Sequence, residues 1–252
     1  MARNLLTARQ SKYKTINIFI TMTRWPKPID HTYIICDERR EPDRAAYLRT
    51  WLSNNQLDPE CYTMGSACYG FELSAAECYR VYDPWQDRTP IEYQRSGTSH
   101  NLKPAEISLV INWADAAKKA VAARHKVVMM FESDVLFDEG FLGKLEAAME
   151  PLSEVSWDFL SLTAGAGLRP PRGPESRDGW FPPAFFYYHT RTCDAMVFKV
   201  SMLEKILGTL FPFVDVLDWE LNYQLELHKS KSLWLDPPIL RQGSGKEYVT
   251  TL

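Results

Sequence analysis

Val127-Val-Met-Met-Phe-Glu-Ser-Asp-Val-Leu-Phe137 is the stretch on which the fold turns: an apolar run of strand length that stops at two carboxylates and then resumes. A continuous apolar run reads as a strand buried on both faces, as at the centre of an α/β sheet, and such strands present ligand-binding groups at their carboxyl ends. Here that end carries Glu132 and Asp134. One residue apart on extended chain, the two side chains share a side, and their hard oxygens suit Mg²⁺ or Mn²⁺ that also holds a diphosphate. A plain strand followed by a polar loop gives the same short pattern, so the flanking segments have to carry the reading.

Upstream, His31-Thr-Tyr-Ile-Ile-Cys36 is a strand, followed by the loop Asp37-Glu-Arg-Arg-Glu-Pro-Asp-Arg44 and a helix over Ala45–Leu52. The loop sets Arg39, Arg40 and Arg44 at a strand's carboxyl end, where guanidinium groups can fork onto phosphate. Residues 60–70 hold a second short strand, and 79–104 form a long irregular segment. Pro104 opens a helix whose apolar stripe, Ile107, Val110, Ile111, Ala114, Ala117 and Val121, has helical spacing.

Downstream, 138–149 reads as a helix stopped by Pro151, and Trp157–Leu162 as a strand. Residues 165–183 are rich in Gly, Pro and Arg and run into the aromatic cluster at 180–188, a candidate lid with Trp180, Tyr188 and the adjacent His189 as acceptor contacts. Asp194–Lys199 is a strand. Ser201-Met-Leu-Glu204 has the capping-box pattern of a helix start. Asp215, Asp218 and Glu220 cluster where the next helix begins, Lys231–Leu235 is a last strand, and Arg241–Glu247 is a flexible C-terminal loop. Strands alternating with helices imply crossover connections and a mainly parallel sheet flanked by helices, a single Rossmann-like α/β domain over 30–252. Residues 1–29 are a basic, polar tail, with room for an edge strand at 16–23.

At 252 residues and 45% hydrophobic content the chain can bury a full core. A net charge of −3 offers no general attraction to nucleic acid or anionic membrane. Five cysteines without CxxC spacing speak against a disulfide framework or structural zinc. With no apolar segment of spanning length, the expectation is a soluble, cytoplasmic protein with no membrane span. Gly245-Lys246 does not complete a phosphate loop, because Leu240 and Glu247 stand where Gly and Ser or Thr are required.

Taken in order, these pieces resemble glycosyltransferase family 25, the lipooligosaccharide and collagen-galactosyl group with a GT-A fold, across roughly residues 30–250. Tyr33-Ile-Ile-Cys-Asp-Glu-Arg-Arg-Glu-Pro-Asp-Arg44 is similar to the family's opening strand and its "INL-R-x-x-x-R" nucleotide loop. Leu102-Lys-Pro-Ala-Glu-Ile107 resembles "L-T-x-G-E-I", and Val127–Phe137 resembles "ILEDDV-F". Pro212-Phe-Val-Asp215 and Gln242-Gly-Ser244 fall in the family's order. Two places depart from it: Ser108-Leu-Val-Ile-Asn-Trp113 replaces "G-C-x-x-S-H", and Ser133 replaces the middle acid of "EDD".

The resemblance implies a nucleotide-sugar donor (UDP- or GDP-sugar), a divalent Mn²⁺ or Mg²⁺, inversion at the anomeric carbon, and a glycan or glycoprotein acceptor. Carried onto this sequence, Glu132 and Asp134 hold the metal, and Arg39, Arg44, Ser133 and Lys246 hold the donor. The catalytic base is expected at Asp218 ahead of Asp215 and Glu220. A nucleotidyl or phosphoryl transferase using the same carboxylates is the rival enzyme, and a non-catalytic carbohydrate-binding domain of the same fold is the non-enzymatic rival.

Overall fold

In the computed structural model, which describes residues 22–88, 99–164, 168, 170, 179–182 and 189–243, the apolar run at 127 is strand β3 (Val127–Glu132). It lies in a seven-stranded sheet with β1 (His31–Ile35), β2 (Tyr62–Gly65), β5 (Phe159–Ser161), β6 (Trp180–Phe181), β7 (Ala195–Lys199) and β8 (Ser232–Leu235), in the order β2-β1-β3-β7-β5-β8-β6. Strands β2, β1, β3, β5 and β8 run in one sense, and β7 and β6 in the other. The sheet is therefore mainly parallel, as the alternation of elements requires, with one inverted strand in its middle.

The helices α1 (Pro42–Asn54), α2 (Ala75–Val81), α3 (Pro104–Ala122), α4 (Phe141–Met149), α5 (Val200–Leu207) and α6 (Leu217–Leu227) cover both faces. Alternation along β3 decides which side chain meets which layer. Met129 and Phe131 enter one cluster with Leu48 and Leu52 of α1 and Phe141 and Leu145 of α4. Val128 and Met130 enter the other, with Val110 and Trp113 of α3, Leu203 of α5 and Leu221 of α6. Helix α3 begins where its proline is tolerated, and Glu106 reaches back to accept the Lys103 N–H at 2.6 Å.

Three local expectations are corrected. Helix α4 starts at Phe141 rather than at 138, because Gly140 takes a left-handed φ of 70° that no helix interior permits. The pattern at Ser201–Glu204 does not cap: β7 runs straight into α5, which starts at Val200 and has no side-chain cap. The segment read as a flexible C-terminal loop begins as strand β9 (Leu240–Gln242), antiparallel to β4 (Val135–Phe137) just beyond the acidic turn. Before β1, Trp25 and Ile29 are buried in the first cluster, so the packed body takes in residues assigned above to the tail. Thr23 makes a parallel bridge to Leu57, while residues 16–21 of the expected edge strand lie outside the described residues.

Candidate functional site

At the carboxyl ends of β1 and β3, Ile35 stands beside Glu132 in parallel register, and a cavity of about 380 Å³ opens there. Its polar wall carries Asp37, Arg40, Glu41, Arg44, Glu132 and Asp134; Ile35, Ala105 and Leu109 form an apolar side. The 66–70 loop reaches the wall because the Asn112 carboxamide accepts from the N–H groups of Ala67 and Cys68 (2.9 and 2.8 Å) and donates to the Cys68 carbonyl (2.8 Å). Asn112 is thus the pin of one wall. The C-terminal segment supplies the opposite edge, where Gln242 lines the cavity and the Gly243 N–H donates to the Asp134 carbonyl at 2.8 Å.

The inverted strand brings in a carboxylate that the sequence reading passed over. Because β7 runs against β3, its amino end meets β3's carboxyl end, and the Glu132 N–H donates to the Asp194 carbonyl at 3.0 Å. The Asp194 side chain is buried: Oδ1 accepts from the hydroxyls of Thr163 and Thr192, and Oδ2 has no hydrogen-bond partner. Burial, then the nearby Asp134, push its carboxyl up to about 6, against the pull of the threonine hydroxyls. Glu132 is raised well above the usual carboxylate range by burial first and then by Asp134, Asp194, Asp218 and Glu41. Burial, and then the Asp218, Glu132 and Asp194 carboxylates around it, raise the Cys193 thiol. These carboxylates raise one another as like charges, which a bound cation or shared protons would relieve.

The arginines divide by what they touch. Arg44 is buried; its Nη1 donates to Glu41 (2.6 Å) and Ser133 (3.1 Å), and the Ser133 hydroxyl donates to the other Glu41 oxygen at 2.7 Å. This triad ties the start of α1 to the turn after β3. Arg39 is outside the cavity wall, paired with Glu72 at 2.9 Å and lying 3.4 Å over the Tyr69 ring. Arg40 lines the cavity, passes over Phe71 at 5.5 Å, and has no ion-pair partner among the described residues. Lys246 and Tyr188 lie outside the described residues.

The expected catalytic cluster separates in the same way. Glu220 is fully buried and accepts from Arg88 Nη2 on both oxygens (2.9 and 2.8 Å), from Val214 N (3.0 Å) and from Gln224 Nε2 (2.9 Å). Asp215 is also fully buried and accepts from Val216 N at 2.8 Å. Asp218, in the first turn of α6, is half-buried; burial raises its carboxyl, Asp215 adds to this, and the Trp219 N–H opposes it. Its charge adds to the upward push on Glu132.

One acceptor assignment meets a correction. Trp180 is 1% exposed and donates from Nε1 to the Ala148 carbonyl at 2.6 Å, so its ring is core rather than a stacking surface. His189 is held between Ser232 (2.6 Å) and Glu226 (2.9 Å), and burial lowers its imidazole.

The donor set is all oxygen, the ligand chemistry of a hard divalent cation, and the buried Asp194 Oδ2 has no hydrogen-bond partner. Among the described residues no three acidic, His or Cys side chains converge into a closed cage. Among the described residues no helix is long and apolar enough to cross a membrane.

No protein-family model matches the chain, and no curated protein does. Among solved structures it is similar to A197 from STIV, at 13% identity and a TM-score of 0.41 over 83% of each chain. It is also similar to the inositol-1-phosphate CTP transferase from T. maritima, at 9% identity and a TM-score of 0.43 over 88% of this chain and 92% of that one. Likeness at that level assigns no function.

Proposed function

We propose that the chain is a GT-A-type glycosyltransferase, similar to family 25, that moves a sugar from a UDP- or GDP-sugar to a glycan or glycoprotein hydroxyl with inversion. The observation that carries this reading is the cavity at the ends of β1 and β3, which Glu132, Asp134 and Arg40 line together. Its size and mixed lining suit a nucleoside diphosphate, with a flat apolar ring against Ile35 and Leu109 and phosphates towards the charged side. Glu132 and Asp134 would hold Mn²⁺ or Mg²⁺, which when bound neutralises charge on the departing diphosphate.

Arg40 is the guanidinium free to fork onto that diphosphate, while Arg44 holds Ser133 and Glu41 in place. In the transfer, the acceptor oxygen forms the new bond to the anomeric carbon as the bond to phosphate breaks, and the hydroxyl proton passes to a carboxylate. Asp218 suits that task. Its raised carboxyl is a stronger base than an ordinary one, and it is partly open, whereas Glu220 is spent on Arg88.

The test is thermal melting with a panel of UDP- and GDP-sugars, with and without Mn²⁺. One of them, at a hundred times its Kd, should stabilise the protein by about 2.7 kcal/mol only when metal is present, and Asp134→Ala should remove that dependence. No shift with any donor sinks the reading. Release of pyrophosphate instead of nucleoside diphosphate would mark the chain as a nucleotidyl transferase.

A further inference from the structure

Trp85 exposes 78% of its surface although the segment bearing it is anchored on both sides. Before it, Tyr82 makes a parallel bridge with Phe213, the Asp83 N–H donates to the Phe213 carbonyl at 2.9 Å, and the Tyr82 phenol donates to the Ser99 carbonyl. After it, Arg88 forms the buried ion pair with Glu220 and lies 3.9 Å over the Tyr223 ring. An indole held in water on an anchored segment leaves a large apolar face available to an occupant. One face of the ring is backed by the His100 imidazole, with centroids 4.7 Å apart and planes 25° apart, and the outer face is open.

His100 lies four residues before Pro104, and the first turn of α3 supplies Ala105 and Ser108 to the cavity wall. Trp85 is three residues from Arg88, at most about 11 Å of chain. Arg88 is bound to Glu220, two positions beyond Asp218 on α6. Among the described residues the indole's one ring partner is His100, and Asp83 and Asp87 flank it in sequence. A single flat apolar face in polar surroundings matches a pyranose, which offers a C–H face for stacking and a rim of hydroxyls; protein interfaces have a contiguous apolar centre.

We propose that the Trp85–His100 stack is a carbohydrate subsite that receives a pyranose ring of the acceptor. This rests on the transferase reading of the cavity for its role, though not for its sugar chemistry.

Binding can be read without donor or turnover. Labelling with 5-fluorotryptophan gives a ¹⁹F signal for each of the eight tryptophans, and Trp85→Phe identifies that of Trp85. Methyl glycosides of galactose, glucose, mannose and N-acetylglucosamine are titrated in turn. At least one should move the Trp85 signal saturably; by isothermal calorimetry, which does not need that signal, Trp85→Ala should weaken its binding about tenfold and His100→Ala less. The subsite is overturned if no glycoside moves that signal, if Trp85→Ala binds as well as wild type, or if UDP or GDP moves it in place of a glycoside. Glycoside binding without any metal-dependent nucleotide binding would keep the subsite and remove the transferase reading, so the two failures are distinct.

Discussion

Asp218 and Glu220 sit two positions apart on one helix and have opposite surroundings. Glu220 accepts four hydrogen bonds in a buried ion pair, and Asp218 stays half-buried with its charge acting on Glu132. Asp218→Asn nearly preserves shape while removing basicity, so turnover should fall by about 10²–10⁴-fold with donor affinity intact; near-wild-type transfer would exclude Asp218 as base. A second residue-scale effect lies far from the cavity, where His31 is bonded to Thr63 at 2.9 Å and stacked on His125 at 5.0 Å. Burial, then the neighbouring His125, lower its imidazole to about 4. The folded state thus refuses a proton that the unfolded chain accepts near pH 6.5, so this contribution is whole above that pH and is lost as pH falls towards 4. Urea melts of wild type and His31→Gln should differ by a gap that shrinks by about 1–3 kcal/mol over that window. A gap constant with pH contradicts the assignment.

At the scale of elements, the cavity depends on how closely a short turn meets a helix. A Cβ on Gly70, at the start of the 3₁₀ turn Gly70–Glu72, would lie 2.7 Å from the Ala105 nitrogen and Cα and the Pro104 carbonyl carbon. These are backbone atoms at the start of α3 and cannot swing aside. Gly70→Ala should therefore cost about 1–3 kcal/mol in denaturant unfolding. Because Gly70 and Ala105 both line the cavity, the variant should also weaken nucleotide binding. Wild-type stability and affinity together would show that the contact is not structural. The sequence marks both partners, Gly70 and the proline-led helix, but nothing in it tells that they touch.

Over the whole molecule, β3 belongs to both hydrophobic clusters, giving alternate side chains to each face of the sheet. Neither cluster can melt while the other keeps β3 in place. Far-ultraviolet and near-ultraviolet dichroism should then report coincident thermal transitions. Two separated transitions would mean that the faces unfold independently.

The sequence by itself determined what depends on neighbours along the chain. Period and length gave β1, β3, α3 and the α/β class, and the apolar run ending in Glu132 and Asp134 located the strand end where the cavity opens. Such features are local, because burial on both faces and helical spacing are written in consecutive residues. Tertiary structure alone decided which distant groups meet. The inversion of β7 carries Asp194 to Glu132, and an isolated strand has no mark of its direction in a sheet. Trp180, in β6, is core and Trp85 is surface, because exposure depends on what packs against a side chain. Glu220 is a partner of Arg88, 132 positions away, and no spacing along the chain encodes a charge pair closed by folding.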